Sequence, residues 1–184
     1  MIMSNRVELV VPSVEYFFSY VEAIKEYEQN NVRTYNFSSP NECDIFDKFQ
    51  NYRTGNNILE NHVLSNYFWL IENSEFIGEV SIRRKLTDEL LRRGGHIGYG
   101  VRYSKWNEGY GTELLRQALL KAMSMNLYDV LITCNDDNIG SAKIIEKNCG
   151  LLENKLENMG NFCPITTQPK TSNIPCPFGT WKGN

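Results

Sequence analysis

The chain has 184 residues, 41% hydrophobic and 22% charged, a globular balance that excludes disordered and collagen-like classes and allows one domain with a proper core. Its formal net charge of −3 gives no general pull toward a phosphate backbone, so nucleic acid is not an expected partner. No run of about eighteen apolar residues occurs, and the opening MIMSNRVELVV lacks a basic segment followed by a long apolar one; the expectation is a cytoplasmic protein with no membrane contact.

In chain order, Val7 to Val11 reads as a short strand, and Pro12-Ser13 starts a helix through Asn30 with Val14, Phe17, Phe18, Val21 and Ile24 at helical spacing. A polar, turn-rich stretch from Asn31 to Pro40 leads to a second helix over Cys43 to Tyr52, with Ile45, Phe46 and Phe49 on one face. Asn66 to Glu72 and Phe76 to Arg83 read as strands joined by an Asn73-Ser74 hairpin turn. A short charged helix, DELLRR, ends at Gly94-Gly95. The most informative block follows: strand HIGYGVRY, a loop from Trp106 to Thr112, a long helix to Met125, strand YDVLITC and a capped helix from Asn138 to Cys149. Leu151 to Glu157 looks like one more strand.

In the long helix, Leu114, Leu115, Ala118, Leu119, Ala122 and Met123 form one apolar stripe, while Val130 to Thr133 is apolar on both sides and reads as a strand covered twice. The order predicts an α/β fold, a mixed sheet flanked by helices: an antiparallel first half and a βαβαβ second half, with YDVLITC a parallel neighbour of HIGYGVRY. A strand that empties into a loop with Gly109 and Gly111, followed at once by a helix, leaves backbone N–H groups aimed at one spot. Such a spot binds anions.

Two blocks carry a family resemblance. Trp106-Asn107-Glu108-Gly109-Tyr110-Gly111 at the start of the long helix, and Asn138-x-x-Ser141-x-x-x-Ile145-Glu146-Lys147-x-x-Gly150 in the next, resemble the GCN5-related N-acetyltransferase (GNAT) family over about residues 7 to 157. Trp106 stands where the family usually has Gln or Arg, and Ile145 where many members place a tyrosine. The resemblance implies an enzyme that moves the acetyl group of acetyl-coenzyme A to a primary amine of a small molecule or peptide. The amides of Trp106, Asn107, Glu108, Gly109, Tyr110, Gly111 and Thr112 would meet the cofactor pyrophosphate. The backbone of Val101 and Tyr103 would pair with the pantetheine arm, an N–H near Val101 would face the thioester carbonyl, and Asn138 and Ser141 would join the cofactor site.

An alkylammonium is deprotonated only on the order of 0.1% at pH 7, so a general base is expected. His96 is the first candidate, because it stands where several relatives carry a glutamate, and Glu79 is the second. Tyr99, Tyr103 and Tyr110 are candidates for the acid that reprotonates the thiolate. Asn30, Asn31 and Arg33 and the charged stretch Arg83 to Arg93 are where acceptor choice is expected, the arginine pairs being suited to a carboxylate or phosphate.

Five cysteines at scattered spacings and two histidines argue against a metal site. A Cys163–Cys176 disulfide disagrees with a reducing compartment. From Asn161 onward prolines crowd the sequence, so the expected organisation is one domain over residues 1–158 and an irregular tail over 159–184. Either the tail replaces the family's last strand or a partner subunit supplies it, and the second case makes a homodimer. Two other classes compete: a coenzyme-A-binding module without turnover, favoured by Ile145 and the tail, and a nucleotide binder, which lacks both Gly-Lys-Ser/Thr and an N-terminal G-x-G-x-x-G.

Overall fold

A computed structural model describes residues 7–32, 37 and 45–153 and the backbone of 162–166. Among these residues the strands are β1 (Glu8–Val10), β2 (Ser65–Glu72), β3 (Glu75–Arg83), β4 (Ile97–Val101), β5 (Leu131–Asn135), β6 (Leu151–Leu152) and β7 (Phe162–Thr166). The helices are α1 (Phe17–Gln29), α2 (Ile45–Thr54), α3 (Asp88–Arg92), α4 (Tyr110–Ser124) and α5 (Ile139–Lys147), with short 3-10 turns at Val14–Tyr16 and Tyr103–Lys105. None is long and apolar enough to cross a membrane.

The first four strands make one antiparallel sheet in chain order, and its central hairpin turns on Asn73 and Ser74, both at positive φ (49° and 66°), as a two-residue hairpin requires. Helices cover both faces of this sheet. On one, Leu114, Leu115, Ala118 and Ala122 of α4 and Ile145 of α5 pack on Leu70, Ile77, Val80, Ile82 and Ile97. On the other, Tyr20, Ala23 and Ile24 of α1 and Ile45 and Phe49 of α2 enclose Trp69, Ile71 and Phe76.

The α1 stripe differs from the sequence expectation. Tyr20, Ala23, Ile24 and Tyr27 turn inward, whereas Phe18 is 85% and Val14 76% exposed. Tyrosines at the i and i+7 positions, with Ala23 and Ile24 at i+3 and i+4, carry the buried face, because their rings pack while their hydroxyls find partners.

The second half departs further. β5 does not extend the first sheet; it belongs to a second, three-stranded antiparallel sheet in the order β5-β7-β6. It is also covered on one face only, with Ile132 and Cys134 buried and Leu131, Thr133 and Asn135 half-buried. Its ties to β4 are confined to the start, where the His96 amide donates to the Leu131 carbonyl at 2.7 Å and the Leu131 amide to His96 Nδ1 at 2.9 Å. The expected parallel ladder is therefore replaced by two strands joined at one corner and open beyond it.

β7 runs through residues assigned from sequence to the irregular tail, and the chain itself supplies the strand that a partner was considered for. Pro164 is tolerated because β6 ends at Leu152, opposite Ile165, so on that side Pro164 lies past the ladder. Residues 154–161 and 167–184 lie outside the described residues, as do Arg33, Cys43 and Cys176 and the side chain of Cys163.

Candidate active site

Where β4 and β5 part, they line a cleft of about 600 Å³, closed by the first turns of α4 and α5 and by Tyr27, Val32 and Phe37. Of the residues expected at a cofactor site, Val101, Trp106, Asn107, Gly111, Asn138 and Ser141 form its wall, and so does Tyr99 of the expected catalytic set.

The backbone pattern shows why this wall can bind. In an antiparallel ladder successive residues direct their N–H and C=O to alternate sides. The Arg102 amide donates to the Ile77 carbonyl of β3 at 2.7 Å, so Val101 directs its own groups away from β3, into the cleft. Its carbonyl is already taken there, by the Trp106 indole at 2.8 Å and the Tyr27 hydroxyl. That leaves the Val101 N–H. Trp106 thus props the loop against the end of β4, and Tyr27, absent from the sequence-based set, does the same from α1.

The loop that follows has the geometry of an anion cradle. Asn107 and Gly109 both take positive φ (65° and 92°), and Gly109 caps α4 with no side-chain hydrogen bond. A β-carbon on Gly109 would meet nothing within 4 Å, whereas one on Gly111 would come within 2.5 Å of Ile144 Cδ1, so that side chain would have to shift. Inside α4 the first amides with partners are those of Thr112 and Glu113, which donate to the Gly109 carbonyl. Among the described residues, the amides of Asn107, Glu108, Gly109, Tyr110 and Gly111 donate to nothing. Five free N–H groups at a helix start suit a diphosphate, so the residues present fit the cofactor the resemblance implies.

The remaining expected cofactor residues are supports. The Tyr110 hydroxyl donates to Glu72 at 2.6 Å, and that bond, with burial and nearby carboxylates, pushes its pKa up to about 12. The Thr112 carbonyl accepts from Asn148 at 3.2 Å, a buried side chain that also bonds Ile144 and so locks α5 to the first turn of α4. Asn138 caps α5 by accepting from the Ser141 amide at 3.0 Å. Tyr103 departs from the expectation: the strand ends at Val101, and Tyr103 lies in a 3-10 turn outside the cleft wall, its ring 4.8 Å from that of Trp106. Glu108, Gly109, Tyr110 and Thr112 also stand outside the wall.

The candidate acid and base residues separate clearly. His96 is absent from the cleft wall, and its Nδ1 lone pair is committed to Leu131, which leaves the proton of the neutral ring on Nε2. Burial and the Arg83 charge lower its pKa against the pull of Asp129. This geometry makes His96 the staple of the corner rather than a free base. Glu79 is likewise absent from the cleft wall; it lies opposite Gly100 in the β3–β4 ladder, and a β-carbon on Gly100 would meet the ring of Phe37, itself a wall residue, at 3.0 Å. Glu79 is 1% exposed, one oxygen accepts from the Trp69 indole at 2.8 Å, and the other has no partner. Burial drives its pKa up to about 8, with Trp69 and Lys48 opposing. Tyr99 donates to the Ser141 carbonyl at 3.5 Å, and burial raises its pKa, which keeps the phenol protonated. No group of three or more His, Cys, Asp or Glu among the described residues is placed to hold a metal ion.

Comparison with known proteins gives the family and the fold. Residues 17–150 match the family model described as an acetyltransferase (GNAT) domain. No protein of curated function matches the sequence. Among solved structures, RimJ of Mycobacterium smegmatis in complex with CoA-disulfide is similar with a TM-score of 0.65 at 13% identity, over 87% of this chain and 80% of that one. A ribosomal-protein-alanine acetyltransferase from Vibrio fischeri gives 0.64 at 12%, over 95% and 98%. A spermidine N-acetyltransferase chimera from Vibrio cholerae and hSSAT gives 0.56 at 13%, over 88% and 95%. A cleft between two parted strands, headed by a glycine turn with free amides, thus sits within a fold these enzymes share, and the chain belongs to the GNAT acetyltransferase family.

Proposed function

We propose that the protein is an acetyl-coenzyme A-dependent N-acetyltransferase that acts on a primary amine of a small molecule or peptide by direct attack in a ternary complex. The observation that carries this reading is the run of free amides from Asn107 to Gly111 at the mouth of the β4–β5 cleft. These amides would hold the pyrophosphate, and Asn138, Ser141 and the walls of β4 and β5 the pantetheine arm. When bound, acetyl-coenzyme A supplies the acetyl group as a thioester, which exchanges its C–S bond for the C–N bond of an amide.

The chain's own residues do the rest. The Val101 N–H, the free half of a peptide pair aimed into the cleft, donates to the oxyanion that develops on the acetyl oxygen. Glu79 takes the proton from the incoming ammonium, directly or through water, and a carboxylate with a pKa near 8 is better matched to that task than an ordinary one. Tyr99 returns a proton to the departing thiolate, a role supported by its position in the wall and by the burial that keeps its phenol protonated.

Release of free thiol from acetyl-coenzyme A tests the reading across amines, amino acids, polyamines and N-terminal peptides. Amine-dependent thiol release with an acetylated amine as product is expected. Tight cofactor binding with no release in any pairing would leave a binding module and overturn the enzyme.

A further inference from the structure

Arg83, a basic residue of the cleft wall, has no part in the scheme above. Arg83 ends β3, and its amide donates to the His96 carbonyl at 2.8 Å, which places it at the start of β4. The cofactor loop lies past the other end of that strand, so Arg83 and the half of the cleft it lines are the half the amides of α4 do not serve. Its half-buried guanidinium makes one hydrogen bond, to the Gly95 carbonyl at 3.2 Å. Among the described residues no carboxylate pairs with it, although the chain has 22 acidic residues. A guanidinium has five N–H donors in a planar fork, and burying it without an anion is unfavourable. The neighbouring groups are phenols, Tyr67 and Tyr52, whose rings lie 5.7 Å apart. Arg93 adds a second positive charge to the same end of the wall.

We propose that Arg83 is the anchor of an oxyanion subsite, and that the acceptor is an amine carrying a carboxylate at the end remote from the reacting nitrogen. The inference rests on the acetyltransferase reading and narrows its substrate class. It separates this chain from an enzyme for polyamines, whose distal ammonium groups would meet the Arg83 guanidinium. Glu79 and Arg83 share one face of β3 four residues apart, about 13 Å along a strand. A tripeptide, about 10 Å from amine to carboxylate, matches that span.

The test compares trialanine with trialanine amide and spermidine, by thiol release from acetyl-coenzyme A, in the wild type, Arg83→Met and Arg83→Lys. The wild type should favour trialanine over its amide by about tenfold or more in kcat/KM, the worth of one hydrogen bond to a charged group. Arg83→Met should abolish the preference by raising KM for the acid and leave the amide unchanged, while Arg83→Lys keeps part of it. Calorimetric affinity for acetyl-coenzyme A should be equal in all three, which shows the variants folded. Equal wild-type rates for acid and amide, or a preference that survives Arg83→Met, overturns the subsite. If no amine is acetylated, the acetyltransferase reading fails, and the heat of trialanine binding then decides: heat lost in Arg83→Met upholds the subsite, and absence of heat in the wild type overturns it.

Discussion

Glu79 holds one oxygen on the Trp69 indole and leaves the other without a partner in an apolar surround, so its environment favours the neutral acid. Two effects of one substitution follow. Glu79→Gln keeps the size and can still accept from Trp69, yet it cannot take a proton. Turnover should fall by about a hundredfold or more, and the wild-type rate should rise with pH through about 8 where the variant stays flat. The second effect is on stability. The folded pKa lies above the ordinary 4.5, so the native state binds the proton more tightly than the unfolded chain does. Glu79 therefore supports folding fully below about 4.5, and that support is lost as pH rises through about 8. Thermal melts of Glu79→Gln should gain on the wild type between pH 5 and pH 8.5, and a constant difference would contradict the buried acid. The sequence put His96 first and Glu79 second; the fold sets them apart differently, by spending the His96 Nδ1 lone pair on the Leu131 amide.

The elements that frame the site are locked by charge as well as by packing. Arg102, 8% exposed, pairs with Glu26 of α1 at 2.6 Å and with Glu75 of β3 at 3.1 Å, and donates to Ser19 at 3.1 Å. Glu26 also accepts from the Ser104 amide at 3.1 Å, so α1 is tied to the turn that leads to Trp106. Burial works to raise the Glu26 pKa, but the bonds from Arg102 and Ser104 outweigh it and the net shift is down. Arg102→Met leaves two carboxylates facing an apolar chain and should cost about 2–3 kcal/mol in urea unfolding at pH 7, below the fully buried figure because Glu75 is over a third exposed. Because the Glu26 pKa is depressed, this contribution is present above its ordinary value and lost as pH falls through the folded one, so the gap between wild type and variant should narrow as the medium is acidified below the ordinary carboxylate range. Element identity was largely legible: the hairpin at Asn73-Ser74, α4 with its Leu114–Ala122 stripe and the Asn138 cap all follow from local patterns. The inward face of α1 was not, since Tyr20 and Tyr27 do not read as apolar, and β7 was hidden by Pro164.

At the scale of the molecule, the site exists because two sheets meet at one corner and diverge. The glycine turn announced an anion site, and Trp106, Asn107, Gly111, Asn138 and Ser141 do share one cleft. The divergence of β4 from β5 left no local mark, because it depends on where β7 pairs and on the His96–Leu131 corner. Nor did the sequence mark the role of Tyr27, which comes from a neighbour 74 residues away, whereas Arg83 already stood among the arginines suited to a carboxylate or phosphate. The central claim is that the free amides at the start of α4 grip the cofactor diphosphate. Amide hydrogen exchange of the full chain, alone and with saturating acetyl-coenzyme A or ATP, reads those groups directly. The account predicts slowed exchange at Asn107 to Gly111 with acetyl-coenzyme A and little change with ATP; acetyl-coenzyme A binding that leaves these amides exchanging as before would contradict it.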